Sequence, residues 1–189
     1  VAILKVANLG HPVLRKVAAK VDPAELAKPD MQRFIDDMVE TMREYDGIGL
    51  AAPQVHVSKQ LAVIDGDQLA DDPKVPDVGR RLLVLVNPTL RPRADKRFVH
   101  WEGCLSVPGL RGRVVRVREL DVEALDRDGK PLRFEAQGYF AAVVQHESDH
   151  LAGKVYLDRM ADLTTLAYLR EYRHHWHGEP EALDEPVTG

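Results

Sequence analysis

The order of elements in this chain predicts an α+β fold built on antiparallel sheets. Three observations carry that reading. A helical pattern comes first, short strands follow, and helical patterns close the chain, without the strand–helix alternation of a doubly wound sheet. Asp126-Arg127-Asp128-Gly129-Lys130 is a strong reversal between two strand-like runs, which favours a hairpin. The length, 189 residues, suits one domain with a sizeable core.

Taken in order, residues 13–17 form a short N-terminal arm. Pro29-Asp30 opens a helix that runs to about Tyr45, with Phe34, Ile35, Met38 and Met42 on one face and Asp46-Gly47 ending it. Residues 61–64 and 82–86 are apolar strands, the second closed by Asn87-Pro88, and the polar stretch 65–80 between them is an excursion loop. Further strands cover 114–117, 121–125 and, after the reversal, 132–136. A helix then spans 137–151, with Gly153 as its stop signal. The last amphipathic helix is expected over 162–175, with Asp162 as N-cap. The single domain is expected to cover 1–178, leaving a polar tail at 179–189.

Composition narrows the function classes. Hydrophobic residues at 44% and charged residues at 30% are ordinary for a globular protein. A net charge of −4 argues against nonspecific or direct sequence-specific nucleic-acid binding as the main activity. No apolar run approaches a membrane span, and the first residues do not form a signal-peptide pattern. The single cysteine, Cys104, leaves no internal disulfide and suits a reducing compartment.

The stretch that carries chemistry is His146-Glu147-Ser148-Asp149-His150. On a helix, imidazoles four residues apart project from one face and can grip one metal ion. The carboxylate after the first histidine then lies beside the open coordination position, as a general base for hydrolysis of a carbonyl compound. A catalytic site of this kind needs a third protein ligand. Cys104, within Glu102-Gly103-Cys104-Leu105-Ser106, is one candidate, although a lone Cys more often packs as a small buried hydrophobe. Gly47-Ile48-Gly49-Leu50-Ala51-Ala52-Pro53-Gln54-Val55 is the other unusual segment: its small residues permit close backbone approach, and Gln54 offers a neutral amide donor.

The segments GIGLAAPQV (47–55), EGCLS (102–106) and QHESDH (145–150), in that order and spacing, closely resemble the three signature motifs of peptide deformylase. The similarity extends from HPVLRK at 11–16 to HLAGKVYLDRM at 150–160. Ser148 departs from it, standing where a larger apolar residue is usual. The resemblance implies antiparallel sheets packed around the HExxH helix, with N-terminal and C-terminal helices. It implies Cys104, His146 and His150 as metal ligands, Glu147 as general acid/base, and Gln54 with the Leu105 backbone N–H as oxyanion donors. The ion implied is Fe2+, replaceable by Zn2+, Ni2+ or Co2+, whereas the donor set alone would suggest zinc.

The substrate implied is the N-formylmethionyl end of a nascent polypeptide, with formate as product. Ile48 and Gly49 would pair with the peptide, and Ile48, Tyr139, Ala142 and Val143 would line a pocket for the methionine side chain. Glu102, Gly103 and Arg111 are further candidates for peptide contacts, and Asp149 with Arg116 for a supporting ion pair behind the ligands. His11, His56, His100 and His177 are expected to be surface or satisfied residues. Bacterial members of the resembled family dock beside the ribosomal exit tunnel through the C-terminal helix, which here carries Arg170, Arg173, His174 and His175. A monomer in the bacterial cytoplasm, or in an organelle, completes the expectation. Two other readings compete: a zinc endopeptidase that cleaves internal bonds, and a non-enzymatic metal-binding or ribosome-binding module. Glu147 and Gln54 together weigh against the module, because a purely structural site needs neither.

Overall fold

The computed structural model describes residues 1–69, 75–178 and, as backbone, 182–183. Its main sheet has five strands in the order β1-β2-β3-β6-β7. These are β1 (Gly49–Ala51), β2 (Leu61–Asp65), β3 (Leu82–Pro92), β6 (Glu119–Leu125) and β7 (Pro131–Gln137), and every pairing is antiparallel. A smaller sheet runs β8-β5-β4-β9, formed by β4 (Arg97–Cys104), β5 (Val107–Val117), β8 (Ala167–Tyr168) and β9 (Ala182–Leu183). The four α-helices are α1 (Pro23–Leu26), α2 (Pro29–Glu44), α3 (Gly138–Leu151) and α4 (Leu169–His175).

Alternation along β2 and β3 explains the layering. Leu61, Val63, Val84 and Val86 face α2, where Ile35, Met38 and Met42 are fully buried against them. Ile64, Leu83 and Leu85 face the other way and pack on Phe140, Ala141 and Val144 of α3. The main sheet is thus covered on both faces, which is why every residue of β2 is buried and its first four are apolar. The smaller sheet lies on the far flank of α3: Gln145 donates to Val117 O at 2.9 Å and accepts from Val117 N at 3.0 Å. The HExxH helix is therefore enclosed between two sheets, as the α+β reading required. Among the described residues no helix is long and apolar enough to cross a membrane.

Three of the differences from the sequence reading have a plain physical cause. Asn87-Pro88 does not close β3 but forms a bulge within it, with Asn87 at φ 53° and its side chain bonded to both Val21 N and Val21 O at 2.9 Å. The strand β4 is missing from the hydropathy pattern because its inward face carries His100 and Glu102 while Val99 and Trp101 point outward. The last helix is the third case. Asp162 caps only the 3-10 turn at Leu163–Thr165, and Ala167–Tyr168 pair with Arg111 and Leu110 on the edge of β5, so α4 keeps seven residues. The unpaired edge of β5 outcompetes a helical turn rich in threonine. The polar tail lies outside the described residues except for Ala182–Leu183, whose backbone pairs with Phe98 and Val99.

Phe140 seats α3 on the main sheet, fully buried and stacked on Phe134 at 5.6 Å. Phe140→Ala should lower the unfolding free energy by about 3–5 kcal/mol in urea denaturation, and a loss below about 1 kcal/mol would refute that anchoring role.

Candidate metal centre

Two elements converge to build the site. Helix α3 presents His146 and His150 from one face, and β4 ends on Cys104 directly opposite. The candidate ligand atoms of Cys104, His146 and His150 all lie within 4.8 Å of one another. The sulfur is 3.3 Å from His150 Nε2, and His146 is held through its Nδ1, which Glu102 Oε2 engages at 2.8 Å. That bond leaves the Nε2 of His146 for a cation. Cys104 is buried, which opposes a charged sulfur, but attraction to His150 and hydrogen bonds from both histidines outweigh burial and hold the thiol well below its ordinary range. A thiolate and two imidazoles suit a divalent transition metal.

Glu147 projects beside these ligands. Burial, reinforced by the negative charge of Cys104 and Glu102, pushes its carboxyl up to about 7 against the opposing pull of the histidines. Its Oε2 is buried without a hydrogen-bond partner among the described residues. Its Oε1 fills the space that a Cβ on residue 49 would occupy, so Gly49 is glycine because any side chain would strike the carboxylate. A buried acceptor left free beside three ligand atoms is what a site for an ion and a polar substrate requires.

Gln54 lies on the 3-10 turn Ala52–Val55 and is fully buried. Its Oε1 accepts from Ala51 N at 2.8 Å, which fixes the amide orientation and aims Nε2 at the sulfur (3.4 Å) and at Ser106 Oγ (3.2 Å). The Leu105 side chain reaches over Gly47, where a Cβ would meet its Cδ1 at 2.9 Å. Ile48, Tyr139 and Val143 share one apolar cluster at the start of α3, and Ala142 is buried one turn before His146. The guanidinium of Arg111 lies across Gly103, in the space that a Cβ there would take.

Behind the ligands runs a buried ion network. Arg116, 3% exposed, donates to Glu102 at 2.6 and 2.9 Å and to Asp149 Oδ2 at 2.6 Å. Glu102 also receives His100 Nε2 at 2.9 Å, so its two oxygens engage four donors including His146. Burial opposes ionisation of Glu102, but Arg116, His100 and His146 together hold it well below the usual carboxylate range. The carboxylate of Glu102, expected among the peptide contacts, is buried and engaged by this network. The expected pairing of Asp149 with Arg116 is present, and Arg159 adds a second cation to Asp149.

A family model of polypeptide deformylase matches residues 3–165, a span that includes every side chain just described. The chain belongs to the polypeptide deformylase family. Peptide deformylase 1 of Bordetella pertussis is 44% identical over 167 residues, 88% of this chain and 91% of its own. The chloroplastic/mitochondrial peptide deformylase 1A of Arabidopsis thaliana is 40% identical over 162 residues, 82% of this chain and 60% of its own. Among solved structures, the Met-Ala-Ser-bound class I type b peptide deformylase from Acinetobacter baumannii is similar, with TM-score 0.74 and 33% identity over 84% of this chain and 99% of that one. In this deformylase the sequence pointed to the ligand set, Glu147 and Gln54, but missed His100, Arg159 and Ser106. Only Ser106 stood within a motif. His100 and Arg159 lie outside the three motifs, and no spacing rule connects them to the helix.

Arg116→Ala removes the guanidinium that two buried carboxylates share and should cost about 3–5 kcal/mol of stability. Arg159→Ala, whose side chain is 40% exposed, should cost far less. Chemical denaturation of both variants is the check, and equal losses would contradict the network as drawn.

Proposed function

We propose that this deformylase hydrolyses the N-formyl group from the amino-terminal formylmethionine of nascent polypeptides, releasing formate and a free amine. The observation that carries the reading is Glu147. It is a buried carboxyl poised at about 7, with one oxygen unpartnered among the described residues, beside a thiolate and two imidazoles. Cys104, His146 and His150 would hold the divalent ion. When bound, that ion supplies Lewis acidity, lowering the pKa of water and polarising a carbonyl.

The chain's own groups do the rest. Glu147 takes a proton from the attacking water and returns it to the leaving amine, which suits a carboxyl near neutrality. Gln54 Nε2 and the Leu105 backbone N–H are assigned to the developing oxyanion, and the Ala51 bond keeps the amide aimed before substrate arrives. The strand β1 is an edge of the main sheet, so its outer side, beginning at Gly49 beside Ile48, is suited to adding an extended peptide. Ile48, Tyr139 and Val143, which share one apolar cluster, are assigned with the buried Ala142 to the pocket for the methionine side chain. Gly103 and Arg111 are assigned to later residues of the peptide. The Met-Ala-Ser bound to the Acinetobacter baumannii relative is a peptide of this kind.

The same reading takes Fe2+ as the native ion, with Zn2+, Ni2+ or Co2+ as replacements, and a monomer in the bacterial cytoplasm. It also takes α4, with its Arg170, Arg173, His174 and His175, as a contact to the ribosome. Unchanged ribosome pelleting after removal of residues 162–189 would discard that last element.

Metal-replete protein should release formate from formyl-Met-Ala-Ser. Glu147→Gln should retain the ion and lose roughly 10²–10⁴-fold in rate. Absence of formate release from the wild type would reject the reading, and full activity in Glu147→Gln would reject the assigned base. In parallel, Cys104→Ala should lose most of its bound ion, whereas Gln54→Ala should keep it and lose about 10²–10³-fold in kcat. Metal analysis separates the two, and equal ion content in wild type and Cys104→Ala would exclude the thiolate as a ligand.

A further inference from the structure

His100 is buried on the inward face of β4, in step with Glu102 and Cys104. Its ring stacks on Phe98 at 5.1 Å and meets the Tyr139 ring edge-on at 5.9 Å. Two aromatic neighbours on separate elements leave the imidazole little freedom to turn. Its Nε2 lies 2.9 Å from Glu102 Oε1. A carboxylate gripped through both oxygens by the Arg116 guanidinium is an acceptor, so His100 Nε2 carries the proton in this bond.

Each oxygen of Glu102 then receives two donors. Oε1 accepts from Arg116 Nε and His100, and Oε2 accepts from Arg116 Nη2 and His146 Nδ1. Arg116 alone sets the plane of the carboxylate, but it is shared with Asp149 on α3 and so is pulled toward the helix. A further donor at Oε1 from β4 itself opposes that pull. It keeps the carboxylate registered to the strand that carries Cys104 while its other oxygen steers a ligand on α3.

We propose that His100 is a positioning residue for the metal centre: through Glu102 it sets the orientation of His146 and so keeps the ligands from β4 and α3 in mutual register. This rests on the reading of Cys104, His146 and His150 as ion ligands. Partners that orient a ligating histidine are typically worth roughly 10–100-fold in metal affinity. The Arg116 bonds remain in any His100 variant, so the effect belongs at the lower end of that range.

The test uses Co2+-loaded full-length protein. His100→Phe keeps a ring between Phe98 and Tyr139 but removes the donor. It should weaken Co2+ affinity roughly tenfold, measured by competition with EDTA. It should also shift the visible absorption bands of the bound Co2+, which respond to ligand orientation and not to global packing. His100→Gln, whose amide nitrogen can reach the position of Nε2, should return both readouts toward wild type. Wild-type affinity and spectrum in His100→Phe would overturn the inference, as would equal losses in the Phe and Gln variants, since packing and not the hydrogen bond would then be responsible. If His100→Phe fails to fold, His100→Asn, with an amide too short to reach Glu102, takes its place under the same criteria. A wild-type protein that binds no Co2+ would instead overturn the ligand set itself and this inference with it. Formate release plays no part in these readouts, so a failure of the substrate reading stays distinguishable.

Discussion

Glu102 is an ionised carboxylate sealed inside the protein, and burying such a group costs several kcal/mol per ion unless it is paired and fully hydrogen-bonded. Here the compensation comes from both sides of the site. Arg116 reaches it from the neighbouring strand, His100 from two residues earlier on its own strand, and His146 from α3. Satisfying this one group therefore requires β4, β5 and α3 to be in register at once. Cys104 lies two residues beyond Glu102 on the same strand face, so the geometry that satisfies the carboxylate also delivers the sulfur to the two imidazoles. Asp149 extends the constraint by tying Arg116 back to the helix, between His146 and His150 in sequence.

The network also explains how one small volume keeps two acids in opposite states. Glu102, surrounded by donors, is held ionised, whereas Glu147, buried with an unpartnered oxygen, is pushed up to about 7. Separation of neighbouring carboxyls into one held ionised and one readily protonated follows from hydrogen-bond supply rather than residue type. Gly49 makes the second state possible, because a side chain there would displace Glu147 from the position that it occupies. The carboxyl thus takes its space at an edge strand of the main sheet.

Much of the architecture was legible locally. The helix over 29–44, the buried runs of β2 and β3, the hairpin at 126–130 and the HExxH helix all announce themselves through periodicity, turn chemistry and stop signals. The failures are equally physical. The alternation of β4 is inverted because its inward positions carry a histidine and a glutamate whose burial is offset by partners on other elements. Asn87 looked like a strand terminator, yet its side chain replaces the lost ladder bonds by clamping Val21. The C-terminal helix was overextended because nothing in residues 162–168 discloses that an open edge of β5 lies nearby to capture Ala167 and Tyr168.

The sequence by itself determined which residue types were available for chemistry and which two of them share a helix face, since a four-residue spacing is a property of the helix alone. It also carried the family resemblance that joined Cys104 and Gln54 to that pair. Only the tertiary structure decided that Glu102 bonds to His146, that His100 bonds to Glu102, and that Glu147 differs from Glu102 in proton affinity. Those outcomes depend on distances between strands and helix of a few ångströms and on the exclusion of water. Both arise when the two sheets close on α3, and neither is encoded in the spacing of residues along the chain.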